Sequence, residues 1–521
     1  MTSTRTPDEQ RRIRQPSLAD AVVPLVILVV LIGGSLLLFG LDALDGPIQV
    51  ALILSVLAVA VIVLKNGYSW DDVEQAAQGS LASIASAIFI LLAVGALIGV
   101  WNLSGTIPTL IYLGIKLLSP VWYYAASALI CGVISLTIGS SWTTAGTVGV
   151  GLVGVASGIG VSTAITAGAV VSGAYLGDKL SPLSETTVLT AQLVKVRVED
   201  HIKRQAWTSL PAFTIAFAVL LALSLTRNGQ VHAPVPTDIE LKKIGDIYHI
   251  NGWNLLPLLL LGALSFRKVP APLALMASAL FAGILGAFLQ PQVMADFVGH
   301  GTGAVIGSVK GVWLAMGNGF SIHSGIGEID RLLSRGGMHS LLTTIWLIIG
   351  AVTFGTLLEH FGLISRLVDP LLRAARSTGR LFVTVFAVAF GLNVFAGDQY
   401  IALVLPTRVF RTEFARRGLA PFNLSRLAAD SATVTSPLIA WNSCGAYMGA
   451  VLGVSAFRYL PFAIFCYASP VLSVLYGITG FKIEKIVPAD GAGSRESLDV
   501  ARDGSSGPGA DISGDDATRA Q

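Results

Sequence analysis

The stretch 174-AYLGDKLSPLSETT-187 decides how this chain is read. It sets Asp178, Lys179, Glu185, a proline and several hydroxyls close together. The surrounding chain of 521 residues is 53% hydrophobic and only 12% charged, with a mean hydropathy of +0.72. A soluble domain carries roughly 25% charged residues. The apolar residues also come in blocks of about twenty, the length of a helix crossing the hydrocarbon core. A β-barrel would show short alternating segments instead. The chain therefore reads as an all-α polytopic membrane protein, and the motif as charge and a helix breaker inside it.

Apolar spans are expected near 21–41, 47–65, 81–100, 208–226, 248–266, 271–289, 341–358 and 456–479. Polar interruptions mark 121–195 and 381–453. The first span follows Arg5, Arg11, Arg12 and Arg14. It is too long for the apolar part of a signal peptide and has no small-x-small cleavage site, so it counts as a true crossing. Residues 1–18 and 487–521 read as disordered cytoplasmic tails, the second rich in Gly, Ser, Ala and Asp. The cysteines Cys131, Cys444 and Cys466 lie in apolar runs and follow no disulfide or zinc spacing.

An internal repeat organises the spans. The string 181-SPL-183 returns as 436-SPL-438. The polar knot 139-GSSWTT-144 is answered by 393-NVFAGDQ-399 at almost the same offset of about 255 residues. The domain reading is repeat 1 over 19–227, an external linker over 228–247 and repeat 2 over 248–480.

Loop charges set the relation between the repeats. The segment 101–120 holds only Lys116, while its counterpart holds Arg366, Arg373, Arg376 and Arg380. The segment 155–163 has no charge, and its counterpart has Arg408, Arg411, Arg416 and Arg417. Lys and Arg mark cytoplasmic loops, so corresponding loops face opposite sides. That is the signature of inverted repeats. Each repeat then has five crossings, one re-entrant hairpin (121–154 and 381–408) and one broken helix (163–195 and 425–450). The stretch 290–340 is Gly-rich and is expected outside as amphipathic structure or as a further hairpin.

Irregular backbone at membrane depth survives only where protein buries it or a cavity needs it. Pro182 and Pro437 free carbonyls one turn back, and half-helix ends can hold ions. Hard oxygen donors of this kind suit an alkali cation. Asp178 and Glu185 are candidate carboxylates at which Na⁺ and H⁺ compete, because burial raises a carboxyl pKa and a cation lowers it. Asp398 and Asp430 are their counterparts in repeat 2, although Asp430 could instead pair with Arg426. Asn393 and Asn442 are oxygen donors, and Ser140, Ser141, Thr143 and Thr144 are weaker candidates because hydroxyls in helices bond their own backbone. Glu359 and His360 read as surface residues, with a proton relay or pH sensor as the alternative. No P-loop, nucleophile motif or dinucleotide fingerprint occurs, so an enzyme, a bound cofactor and ATP-driven transport are not expected.

The stretches 165-ITAGAVVSGAYLGDKLSPLSETT-187, 330-DRLLSRGGMHSLLTTIWLII-349 and 430-DSATVTSPLIAWNSCGAYMGAVLGV-454 resemble the NhaC-type Na⁺/H⁺ antiporter family of the ion-transporter superfamily. The resemblance spans roughly 45–480. It implies an elevator-type secondary transporter in the cell membrane, often a homodimer, carrying Na⁺ and H⁺. Its ion and proton positions here would be Asp178, Ser181, Glu185, Asp398, Asp430, Ser436 and Asn442, with no metal beyond Na⁺.

Three hypotheses remain in play. The first is exchange of cytoplasmic Na⁺ for external H⁺. The second is Na⁺-coupled transport of a small organic solute, an amino acid or carboxylate, in a pocket lined by the 139–144 tip and Trp441. The third is an ion channel or sensor, which the paired hairpins argue against. The partners expected are these ions, a small solute in the second case, and the lipid bilayer, with no nucleic acid.

Overall fold

Helix α1 (Leu18–Phe39) starts where Ser17 and Asp20 exchange capping hydrogen bonds. It is followed by α2 (Pro47–Lys65), α3 (Trp70–Leu103) and the amphipathic α4 (Thr106–Leu117). The computed structural model describes residues 13–117, 119–226, 237–299 and 303–486. Of the expected tails 1–18 and 487–521, residues 1–12 and 487–521 lie outside the described residues, as does the first part of the linker; residues 13–18 are described, with Arg14 N–H donating to Asn66 O at 2.9 Å and Ser17 capping α1. The described residues up to Glu484 form one compact unit.

The first hairpin pairs α5 (Tyr123–Ile138) with α6 (141–158), whose middle is a π turn at Ala145–Gly149. Next come α7 (Thr163–Leu180), α8 (Glu185–Leu193) and the long α9 (Val198–Thr226). The second half opens with α10 (Thr237–Ile247), so part of the expected linker is helical, bent 91° from the segment Gly252–Phe266 that contains α11 (Leu256–Phe266). It continues through α12 (Ala271–Leu289), α13 (Pro291–Val298), α14 (Ala304–Asn318) and α15 (Gly327–Leu333) to α16 (Leu342–His360) and the amphipathic α17 (Leu363–Ala374). The second hairpin is α18 (Thr378–Phe395) and α19 (Gln399–Arg416). Then come α20 (Pro421–Ala428) with its π turn, α21 (Ser443–Leu452) and α22 (Ile464–Thr479).

Among the described residues, seven helices are long and apolar enough to cross a membrane, or nine if each bent pair counts once. The protein is a multi-pass membrane protein. Composition alone also counts α18 as a span and misses the two broken helices. α18 turns back at Ala396–Asp398 and packs on α19, as a hairpin arm does. The broken helices carry too much polar surface for a hydropathy test.

The packing falls into two sets. α1, α2, α3, α11, α12 and α16 pack together, and so do α5, α7, α9, α18, α19 and α22. The principal pairings within each set have counterparts under exchange of the repeats. α1 packs on α2 as α11 packs on α12; α2 packs on α16 as α12 packs on α3; α5 packs on α9 as α18 packs on α22. α3 meets α16 and α9 meets α22, pairs that the same exchange maps onto themselves. The α1 span is 17% buried and the α16 span 67%, so α1 is peripheral and α16 central. Leu37, Leu38 and Phe288 point outward, as side chains facing lipid tails do.

The tightest contact joins α5 to α7. A Cβ on Gly173 or Gly177 would run into the backbone of Ala128, Gly132 or Leu136. Small residues one turn apart let two helices in lipid approach until backbones touch. The Ser135 hydroxyl then donates to the Ala174 carbonyl at 2.6 Å. The 290–340 stretch resolves into α13–α15 and a loop laid on α3, where Gly337 N–H donates to Gly95 O at 2.7 Å. Ser324 hydrogen bonds within that loop hold the Asp330 carboxyl below the usual carboxylate range.

Candidate functional site

Each hairpin tip abuts the break in the helix that follows it. In repeat 1, Gly139 ends α5 in the left-handed region (φ +78°), and Ser140 caps α6 by accepting from Thr143 N–H at 3.1 Å. A Cβ on Gly139 would strike Leu183 and Ser184, so glycine lets the tip touch the break. α7 stops at Leu180, before Pro182, and the chain runs extended through Ser181 until Ser184 caps α8. Thr187 Oγ1 donates towards the freed carbonyls of Asp178 and Lys179 at 3.3 and 3.2 Å.

Asp178 faces this junction and is buried. Ser141, in the first turn of α6, donates to its carboxylate at 2.7 Å. Glu185, the first residue of α8, is exposed, yet interacts electrostatically with Asp178 and lies beside Tyr400 of the other repeat. The Ser181 hydroxyl accepts from Leu183 N–H at 3.2 Å.

Repeat 2 uses the same plan with different side chains. Asp398 caps α19, accepting from Tyr400 and Ile401 N–H at 2.8 and 3.0 Å. Ser443 N–H donates to Gly397 O at 2.8 Å, joining tip to break. Asn442 caps α21 and donates to Asn393, which donates to Ala432 O and Thr435 Oγ1 at 2.7 and 2.9 Å. Ser436 donates to Gln399 Oε1 at 2.8 Å, and Trp441 Nε1 to Val394 O at 2.7 Å. The repeats meet where Trp142 stacks on Tyr447, ring centres 4.0 Å apart, and Tyr447 donates to Trp142 O.

Asp430 lies elsewhere. Its carboxylate pairs with the buried Lys179 ammonium and accepts from Gln205 at 2.9 Å, Thr208 at 2.8 Å and Ser469 at 2.7 Å. The expected alternative partner, Arg426, instead donates to Lys482 O and faces the Tyr476 ring. Asp430 therefore has a different set of partners from Asp178. The equivalent capping positions are Ser140 with Asp398 and Ser184 with Asn442.

The comparisons with known proteins follow this geometry. A family model described as the Na⁺/H⁺ antiporter family matches residues 16–224 and 173–481. The chain is 35% identical over 437 residues to the Na(+)/H(+) antiporter NhaC of Alkalihalophilus pseudofirmus, covering 84% of this chain and 91% of that one. The chain belongs to the NhaC-type Na⁺/H⁺ antiporter family. It is also 33% identical to an uncharacterized Na(+)/H(+) antiporter of Haemophilus influenzae (91% and 98% covered). A third relative, at 32% identity with 90% and 96% covered, is the malate-2H(+)/Na(+)-lactate antiporter of Bacillus subtilis.

In this NhaC-type chain the tips and breaks bring together Asp178, Ser140, Ser141, Thr143, Ser181 and Glu185 on one side. On the other they gather Asp398, Asn393, Ser436, Trp441 and Asn442. Among the described residues, no hydrogen bond or ion pair of Asp178 or Asp398 involves Lys or Arg. The site also contains residues that sequence reasoning missed. Gln399 lay inside the quoted tip but was not singled out, and Cys444 Sγ donates to it at 3.1 Å. Lys179 entered only as a neighbour of Asp178. The spacing of Gln205 and Thr208, three apart and so on one helix face, was the available signal for the Asp430 network. Glu359, read as a surface residue, is half-buried and within electrostatic range of Asp398 and Arg408.

Proposed function

We propose that the protein is a secondary active transporter that exchanges cytoplasmic Na⁺ for external H⁺. Asp178 carries this reading. It is a buried carboxylate where a helix break meets a hairpin tip, held by a hydroxyl and by no cationic side chain among the described residues. An ionised carboxylate near the bilayer centre costs roughly 2.5–3.5 kcal/mol on insertion scales. A proton removes that charge. A Na⁺ ion balances it, with hard oxygens from Ser181, Ser184 and the freed carbonyls completing its shell. Both loads neutralise the same group, so they exclude one another, and mutual exclusion is what exchange requires. Glu185 and Asp398 are the further acids in this reading, with Ser436 and Asn442 as oxygen donors from repeat 2. Asp430 serves as the counter-ion of Lys179 rather than as an ion ligand.

Adding Na⁺ to acidified everted vesicles that contain the protein should release protons. The absence of any pH response, together with Na⁺-dependent uptake of a labelled solute, would overturn this function.

That outcome defines the second reading, cotransport or exchange of a small organic solute. The Trp142–Tyr447 plate beside Cys444 and the name of the Bacillus subtilis relative favour it. Against a carboxylate passenger stands the engagement of the nearby Lys179 with Asp430.

The same proposal places the protein in the cell membrane with both termini cytoplasmic. The hairpins and broken helices move as a body against α1–α3, α11, α12 and α16. Inversion puts the turn after α6 and the C-terminal end of α19 on opposite faces. The three native cysteines are buried, so an impermeant maleimide should label Val161→Cys only from outside and Thr412→Cys only from inside. Labelling of both from one side would remove the inverted topology.

A further inference from the structure

A basic cleft of about 930 Å³ lies where α17 ends, α18 begins and α19 ends. Arg373, Arg376, Arg416 and Arg417 line it, with Glu413 as its one acid. Arg416 and Arg417 share Glu413, at 2.8 and 2.6 Å, and Arg417 also donates to Ala375 O. Arg373 and Arg376 are exposed and have no ion pair among the described residues. Four guanidinium groups against one carboxylate leave a local excess of positive charge. Ser377 and Thr378 bring the N-terminus of the eighteen-residue α18 to the same wall, where unpaired N–H groups and the helix dipole favour an anion.

We propose that this cleft binds the phosphate of an anionic phospholipid headgroup. Guanidinium forks match phosphate oxygens in pairs. The lipid source follows from where the cleft sits. α17 is amphipathic, follows the crossing helix α16, packs on α1 and buries Leu363, Ile364 and Val368. Such a helix lies in the headgroup plane. Leu372 lines the cleft and the exposed Leu371 adjoins it, giving the first part of an acyl chain an apolar path. The volume falls in the range of sites that bury a small organic group. The four arginines lie at the C-terminal ends of α17 and α19 and in the turn after α17, on the face that the loop charges mark as cytoplasmic, the leaflet side on which anionic lipids attract such charge. This site is separate from Asp178 and does not depend on which cargo is carried. It bridges the arm from α16 to the tip-bearing hairpin, so an occupied cleft would tie α17 to the outer end of α19.

Native mass spectrometry of the purified full chain tests the proposal with phosphatidylglycerol, phosphatidylcholine and inorganic phosphate as separate probes. Phosphatidylglycerol adducts should survive activation that strips phosphatidylcholine. R373A/R376A should weaken that retention by about tenfold or more. R197A/K203A, which removes as many charges from another basic loop, should leave it intact. R373K/R376K should keep most of it, separating loss of charge from loss of fold. Retained phosphatidylglycerol preference in R373A/R376A overturns the assignment. Binding of inorganic phosphate without any preference for phosphatidylglycerol overturns the lipid source.

Discussion

Replacing Asp178 by Asn should abolish Na⁺-dependent proton movement while leaving the protein folded in the membrane. Asn has nearly the same shape, and its carbonyl oxygen can still accept from Ser141, which donates at 2.7 Å in the native protein. The contacts of tip and break are untouched. What disappears is the group that carries either a charge or a proton. Losing one charge-assisted interaction of about 1.5–3 kcal/mol weakens cation binding at least about tenfold, and losing the titrating proton removes the coupling altogether. Vesicle flux should fall to that of membranes lacking the protein. Ordinary amounts of folded Asp178→Asn protein with native transport would take Asp178 out of the mechanism. Asp178→Glu is the sharper companion. It keeps the charge but pushes it one methylene into a junction already in contact with Ser141, so it should retain exchange with a weakened apparent Na⁺ affinity.

Asp430 should behave in the opposite way. Asp430→Ala leaves the Lys179 ammonium buried at 1% exposure with Ser469 as its one hydrogen-bonding partner among the described residues. Breaking a buried pair from one side costs about 3–5 kcal/mol, whereas replacing both partners by apolar groups can be nearly neutral. Asp430→Ala and Lys179→Met should each lower the unfolding midpoint and the yield of folded protein. The double variant Lys179→Met/Asp430→Leu should recover most of that loss, which a double-mutant cycle would record as a large coupling. An Asp430→Ala protein of native stability but without transport would contradict the assignment and return Asp430 to the ion site.

These two carboxylates also show what could be read before the fold was known. The placement of Asp178 at a helix break and of Asp398 at a hairpin tip was legible because both sit beside helix breakers in apolar surroundings, and the signals are local. The pairing of Asp430 was not, because its partner Lys179 is 251 residues away and meets it only where α7, α9 and α22 surround the π turn after α20. The same division holds for the helices. Spans 47–65 and 271–289 agree with α2 and α12 to the residue, since apolar blocks end at Gly, Pro or charge. α3 begins at Trp70 rather than near residue 81, because its first turns carry Asp71, Asp72 and Glu74 and are started by the Ser69–Asp72 capping box, not by hydropathy. α9 likewise begins ten residues early on a polar surface. The 290–340 loop was opaque for a different reason. Its path is set by Gly336 and Gly337 lying against Gly95 and Gly99, a backbone contact that leaves no side-chain pattern.

The unequal caps of the two hairpins have a thermodynamic consequence. Ser140 and Asp398 hold equivalent places, but one is neutral and the other can carry charge. If the two tips act as opposite doors of an alternating-access carrier, the work of opening each differs, and the empty protein rests unevenly between its two faces. Under the proposed exchange that resting bias would shift with the protonation of Asp398, so the doorway itself would contribute to the direction in which the carrier is poised before any ion arrives.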